Sequence, residues 1–124
     1  MLAKKLILIV EDDEKSRRLM RDVLAFQGYD IVETDRGEVA IALIRTHHPS
    51  LVLMDIHLPG MSGVQALQEI RDDGTIARTP VIAVTASVMD KDREKVRNAG
   101  FDGFHPKPLN LKAFLTEVKQ FIAA

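Results

Sequence analysis

The stretch Leu51-Val52-Leu53-Met54 is wholly apolar and stops abruptly on a charge, Asp55, followed by Ile56-His57-Leu58-Pro59-Gly60. A short apolar run bounded by turn residues reads as a strand buried on both faces. The Asp55 carboxylate therefore emerges where that strand ends. Two further runs end in the same way. Leu6-Ile7-Leu8-Ile9-Val10 leads into Glu11-Asp12-Asp13, and Val81-Ile82-Ala83-Val84 leads into Thr85. If the strands lie parallel, these groups meet at one edge of the sheet, where open α/β folds place their sites. Clustered carboxylates call for a cation, and a cation beside a nucleophilic oxygen points to phosphoryl chemistry.

Outward from these runs, apolar segments alternate with helical patterns along the whole chain. Leu19, Met20, Val23 and Leu24 form one helical stripe, which Gly28 is placed to end. Ile31-Val32 lies in a more polar strand ending near Thr34. Ala40, Leu43 and Ile44 mark a second helix closed before Pro49, and Val64, Leu67 and Ile70 mark a third. Gly74 and Pro80 bracket the loop into the Val81 strand. Residues 88–99 read as a charged, weakly amphipathic helix, Phe101 to His105 as a short last strand, and Leu111, Phe114, Leu115, Val118, Phe121 and Ile122 as a final helix.

The result is an α/β chain, (βα)5, with right-handed crossovers between parallel strands. Strands one, three and four are solid hydrophobe and belong in the centre. Strands two and five are mixed, and Pro106 lacks a ladder donor, which places the fifth at an edge. These features predict the flavodoxin-like doubly wound order 2-1-3-4-5.

Composition bounds the rest. The 124 residues suit one domain, 1–124, with a real core and nothing left over for an output domain. Seventeen Lys+Arg nearly cancel eighteen Asp+Glu, so charge gives no reason to expect nucleic acid or an acidic membrane as partner. There is no cysteine, which excludes disulfides and thiol ligands. Lys4-Lys5 and the five apolar residues after them are too short for a signal peptide, and no run approaches the ~20 apolar residues of a membrane span. A cytoplasmic protein is expected.

Each candidate group has an ordinary explanation taken alone. Glu11 and Asp12 suit the positive end of a helix, Asp55 suits a turn, Thr85 a cap, and Lys107 a solvated surface. Together those explanations require three acids, a hydroxyl and a lysine to end four strands on one edge by accident. Asp13 is best read as the N-cap of the first helix. His47, His48 and His105 lack metal-ligand spacing and are assigned to the surface, as is His57 in its loop. Met54 and Met61 read as packing and loop residues.

Val10-Glu11-Asp12-Asp13, Leu53-Met54-Asp55-Ile56-His57-Leu58-Pro59-Gly60-Met61-Ser62-Gly63, Val84-Thr85-Ala86, Ala99-Gly100-Phe101-Asp102-Gly103-Phe104 and Lys107-Pro108 occur in that order. In this the chain resembles a response regulator receiver domain, the phospho-accepting half of two-component signalling, from about Lys5 to the last helix. The resemblance implies that Asp55 accepts a phosphoryl group from phosphohistidine on a sensor histidine kinase or histidine phosphotransfer protein. It implies that Glu11, Asp12, Asp55 and the His57 backbone carbonyl hold Mg²⁺, with Mn²⁺ as an alternative. Lys107, the Thr85 hydroxyl and the Ala86 backbone amide then take the phosphoryl oxygens. Thr85 and Phe104 become the switch pair, Pro108 a candidate cis peptide, and the face of helix 4, strand 5 and helix 5, with Met89, His105 and Pro106, the surface a downstream protein reads. By the same resemblance the chain catalyses its own modification and slow dephosphorylation without being an enzyme in the ordinary sense.

Departures from the common pattern are Phe104, where tyrosine is frequent, and His57. Three rival readings fit the residues less well. A phosphatase of the haloacid-dehalogenase class needs a second Asp where His57 stands. A flavin carrier wants a Ser/Thr/Gly-rich loop where Glu11-Asp12-Asp13-Glu14 stands. A degenerate, non-phosphorylated receiver is disfavoured because every phosphorylation residue is present.

Overall fold

The computed structural model describes residues 5–86 and 90–123, apart from the side chains of 90–93 and 123. In chain order it contains β1 (Leu6–Val10), α1 (Glu14–Phe26), β2 (Asp30–Thr34), α2 (Gly37–His47), β3 (Leu51–Met54), α3 (Gly63–Asp72), β4 (Val81–Thr85), α4 (Asp90–Ala99), β5 (Gly103–Pro106) and α5 (Leu111–Ala123). The strands pair in parallel in the order β2-β1-β3-β4-β5, as the apolar content of the runs predicted.

Period-two alternation divides the core. Leu8, Val10, Val52, Met54, Val81 and Ala83 face one way, into a cluster with Ala40, Ile41, Ile44, Leu67 and Ile70 of α2 and α3. Ile7, Ile9, Leu51, Leu53, Ile82 and Val84 face the other, against Met20 and Leu24 of α1 and Phe114 and Val118 of α5. Every residue of β3 and β4 is buried, which explains why their runs carry no polar alternation. Among the described residues no helix is long and apolar enough to cross a membrane.

Helix ends follow local chemistry. Asp13 caps α1 by accepting the Ser16 amide at 2.9 Å, as expected of it. Gly28, with φ of 95°, turns the chain away after α1. Ser62 and Gln65 form a reciprocal capping box on α3.

Three expectations need correction. Leu19 lies on the solvent side of α1, because the buried stripe runs through Met20 and Leu24. The last strand begins at Gly103, not Phe101. Asp102 takes the Val81 amide on its carboxylate at 2.8 Å and gives its own amide to the Val81 carbonyl, so it closes a loop and starts no ladder. His105 is buried, not at the surface. With Gly103 it faces α5, where its ring stands edge-on to Phe114 at 5.5 Å and Nε2 lies 3.2 Å from Glu117 Oε1. Met89, assigned to a partner-reading face, lies outside the described residues.

Candidate phosphoryl-acceptor site

Asp55 follows β3 directly, and its amide donates to the Val10 carbonyl at 2.9 Å, which extends the β1–β3 pairing by one residue. The side chain is nearly buried. Oδ1 accepts the His57 amide at 2.9 Å, and Oδ2 accepts the Lys107 ammonium at 2.9 Å. Gly63 makes room for this turn. A Cβ there would come within 2.8 Å of the Ile56 Cα and collide with the Asp55 carbonyl, so at Gly63 the start of α3 packs on the loop after Asp55 by backbone alone. Glu38 steadies the far end of the loop, accepting the Met61 amide at 3.2 Å.

Glu11 arrives from β1. Its amide donates to the Thr34 carbonyl at 3.0 Å, its Oε2 accepts the Asp13 amide at 3.1 Å, and its side chain is fully buried. Lys107, from the loop after β5, places Nζ against both Glu11 Oε1 and Asp55 Oδ2. The Lys107–Pro108 peptide is cis. Asp12 is exposed at the mouth of the site. Thr85 is fully buried at the end of β4, and its carbonyl accepts the Lys107 amide at 2.9 Å. Ala86 follows it at the surface. The geometry thus gathers Glu11, Asp12, Asp55, His57, Thr85, Ala86 and Lys107 at the C-terminal edge of the sheet. Phe104 sits apart, half-buried on the α3–α4 side beside a recess lined by Val96, Arg97 and Phe101.

Charge in so closed a pocket is costly. Burial, reinforced by side-chain hydrogen bonding to Asp55, pushes the Glu11 carboxyl up to about 7. Burial opposes ionisation of Asp55 as well, but hydrogen bonds from Glu11 and Lys107 hold it below the usual carboxylate range. Burial works against the Lys107 cation, and the two carboxyls outweigh it and raise its pKa. Glu11 and Asp55 therefore divide one proton unequally near neutral pH.

The donor set fits a hard divalent cation. One carboxylate oxygen from each of Glu11, Asp12 and Asp55 lies within 4.8 Å of the others. Glu11 Oε1 is buried with the Lys107 ammonium against it and, among the described residues, makes no well-formed hydrogen bond. All-oxygen ligands on a half-open edge suit a small cation that keeps some of its water.

A family model, the response regulator receiver domain, matches residues 7–119. The chain belongs to this family. Polar-differentiation response regulator DivK of Brucella ovis is 39% identical over 118 residues, covering 95% of this chain and 96% of DivK. DivK of Brucella anthropi is 38% identical over the same length. Among solved structures, the receiver domain of sensor histidine kinase PA1611 from Pseudomonas aeruginosa PAO1 is 29% identical, with a TM-score of 0.90 over 98% of this chain and 100% of that one. That receiver carries a magnesium ion coordinated in its active-site cleft. A putative response regulator from Chloroflexus aurantiacus, 24% identical, shares the fold with a TM-score of 0.93.

Two contributors to this receiver site escaped the sequence reading. Arg17 of α1 donates through Nη1 to the Glu11 carbonyl at 3.0 Å, and Glu38 holds Met61. Arg17 carries a readable signal. It stands three and seven residues before Met20 and Leu24, on the buried stripe, where a charge needs a partner.

Proposed function

We propose that Asp55 is the phosphoryl acceptor of this receiver, charged by phosphohistidine on a sensor histidine kinase or histidine phosphotransfer protein in the cytoplasm. One observation carries the reading. The Asp55 carboxylate is held at the end of β3 between the His57 amide and the Lys107 ammonium, beside two further acids. A carboxylate oxygen attacks phosphorus, the P–N bond breaks, and its electron pair remains on the donor imidazole. The product is an acyl phosphate on the receiver, so the chain is the modified party and not an enzyme in the ordinary sense.

Glu11, Asp12 and Asp55, with the His57 carbonyl, would hold Mg²⁺ or Mn²⁺. A divalent cation there offsets the charge on the phosphoryl oxygens, which three bare carboxylates would repel. Lys107, placed between Glu11 and Asp55, supplies a second positive charge. The Ala86 amide and Thr85 hydroxyl complete the cradle.

The same reading makes Thr85 and Phe104 the switch. A phosphoryl group on Asp55 draws the Thr85 hydroxyl towards it, and a charge-assisted hydrogen bond of ~1.5–3 kcal/mol is large enough to shift a two-state population. Phe104 moves into the space behind Thr85 and remodels the face of α4, β5 and α5 that a downstream protein reads. Lacking a hydroxyl, Phe104 is held there by apolar burial alone.

Incubation with acetyl phosphate and Mg²⁺ tests the assignment. Intact-mass analysis should show one added phosphoryl group, abolished by excess EDTA and absent from Asp55→Ala. Unchanged modification of that variant would place the acceptor elsewhere.

A further inference from the structure

Arg17 occupies an unusual place for an arginine of a surface helix. Its side chain is only 22% exposed and points back across the start of α1. One end of the guanidinium, Nη1, donates to the backbone carbonyl of Glu11 at 3.0 Å. The other, Nε, lies 3.3 Å from Glu33 Oε1 on β2. Glu33 sits opposite Ile9 in the sheet register, two residues before Glu11. It is also held from outside by Arg21 Nη1 at 3.3 Å. The backbone of Glu11 is thus gripped on both sides, by the Thr34 carbonyl at its amide and by Arg17 at its carbonyl. Both grips lead to β2, an edge strand that contributes no residue to the acceptor site.

We infer that Arg17, braced by Glu33, is a positioning residue that sets the direction in which Glu11 and Asp12 present their carboxylates to a divalent cation. The inference rests on the metal reading given above. The loop after β1 must turn two adjacent acids towards Asp55 although all three repel one another. A planar guanidinium bonded at two separate edges fixes the Glu11 peptide plane in a way a point charge cannot. That plane, the Glu11–Asp12 peptide, holds the Cα atoms of both residues, so both side chains leave from it.

Orientation and simple electrostatics predict opposite signs here. Removing a positive charge beside a cation site by itself tightens cation binding. Losing the strut weakens it, and groups that orient a metal's ligands typically account for 10–100-fold in affinity.

The experiment is calorimetric titration of the full chain with Mg²⁺ alone, at fixed pH and ionic strength. Three variants are compared with the wild type: Arg17→Ala, Arg17→Lys and Arg18→Ala. Arg18 pairs with Glu14 at the surface, so its removal controls for charge. Arg17→Ala should bind Mg²⁺ about tenfold more weakly, at the lower end of that range because the contact is to backbone. Arg17→Lys keeps the charge and should weaken binding in the same direction, while Arg18→Ala should match or slightly exceed the wild type. A second readout needs no metal. The Asp13 amide resonance, which reports its bond to Glu11 Oε2, should move in both Arg17 variants and stay in Arg18→Ala. Wild-type or tighter binding by both Arg17 variants overturns the inference. A wild-type protein that takes up no Mg²⁺ overturns the metal reading itself and this inference with it, an outcome distinct from the first.

Discussion

Replacing Glu11 by Gln should make the metal-free protein more stable at pH 8 while removing its gain from magnesium. A carboxyl moved from 4.5 to about 7 is harder to ionise in the folded chain than in the unfolded one by about 3 kcal/mol. Glutamine keeps the shape and one acceptor oxygen and needs no ionisation. It also gives up the attraction of Lys107, and the mouth of the site is open to water. Halving the figure for these two effects leaves about 1–2 kcal/mol in favour of the variant. The sign with pH follows from proton counts. Between 4.5 and about 7 the folded state binds more protons at Glu11 than the unfolded state, so this group's contribution to stability falls as pH rises. The advantage of Glu11→Gln should therefore be small at pH 5, grow through pH 6 and 7, and level off above. Urea unfolding in EDTA at these pH values measures it, with fixed slope and shifting midpoint. Adding Mg²⁺ should stabilise the wild type and leave the variant nearly unmoved. A variant no more stable than wild type at pH 8, or an advantage independent of pH, would refute the account of a strained buried acid.

Magnesium affinity should rise as pH passes through about 7, with proton release on binding at pH 6 that fades by pH 8, because the cation displaces the proton that Glu11 shares with Asp55. Calorimetry in buffers of different ionisation enthalpy reads this directly. Arg71→Ala should destabilise the fold by about 2–4 kcal/mol, since its guanidinium bonds the carbonyls of Ala77, Thr79 and Gly100 and the Asp102 carboxylate together. Phosphorylation by acetyl phosphate should survive that change at permissive temperature, and its loss there would place Arg71 in the site. Beryllofluoride, a phosphoryl mimic, should shift the NMR signals of Phe104 and of α4. Changes confined to the Asp55 pocket would defeat the switch.

The fold was legible because its information is local and redundant. The buried strands β1, β3 and β4 have no polar face to disguise their runs, and each acid or hydroxyl of the site sits at the end of one of them. Pro106 marked β5 as an edge for a reason confined to one residue. Failures arose where two segments settle a matter jointly. Whether His105 is buried depends on α5 laying Phe114 and Glu117 over β5, which spacing within 103–106 does not state. Leu19 and Val23 look equivalent on a helical wheel, and only the line of the sheet shows that Leu19 misses the core. Arg17 joins Glu33 from 16 positions away, a distance at which single-sequence patterns are silent. The acids were visible one by one, and their supports were not.

The acids of the pocket are separated in the sequence from the lysine that answers them. Glu11, Asp12 and Asp55 lie in the first half of the chain, and Lys107 follows Asp55 by 52 positions. During synthesis the acids therefore leave the ribosome well before their counter-cation does. A nascent chain that has reached β4 holds the acids of the pocket without Lys107, and β4 can pair with β3 while its other edge still waits for β5. Pairing of β5 with β4 brings in Lys107, whose amide meets the Thr85 carbonyl as its ammonium meets Asp55. The pocket's charge balance is thus completed only by the last strand, so a chain cut before β5 would carry the acids without the cation placed between Glu11 and Asp55.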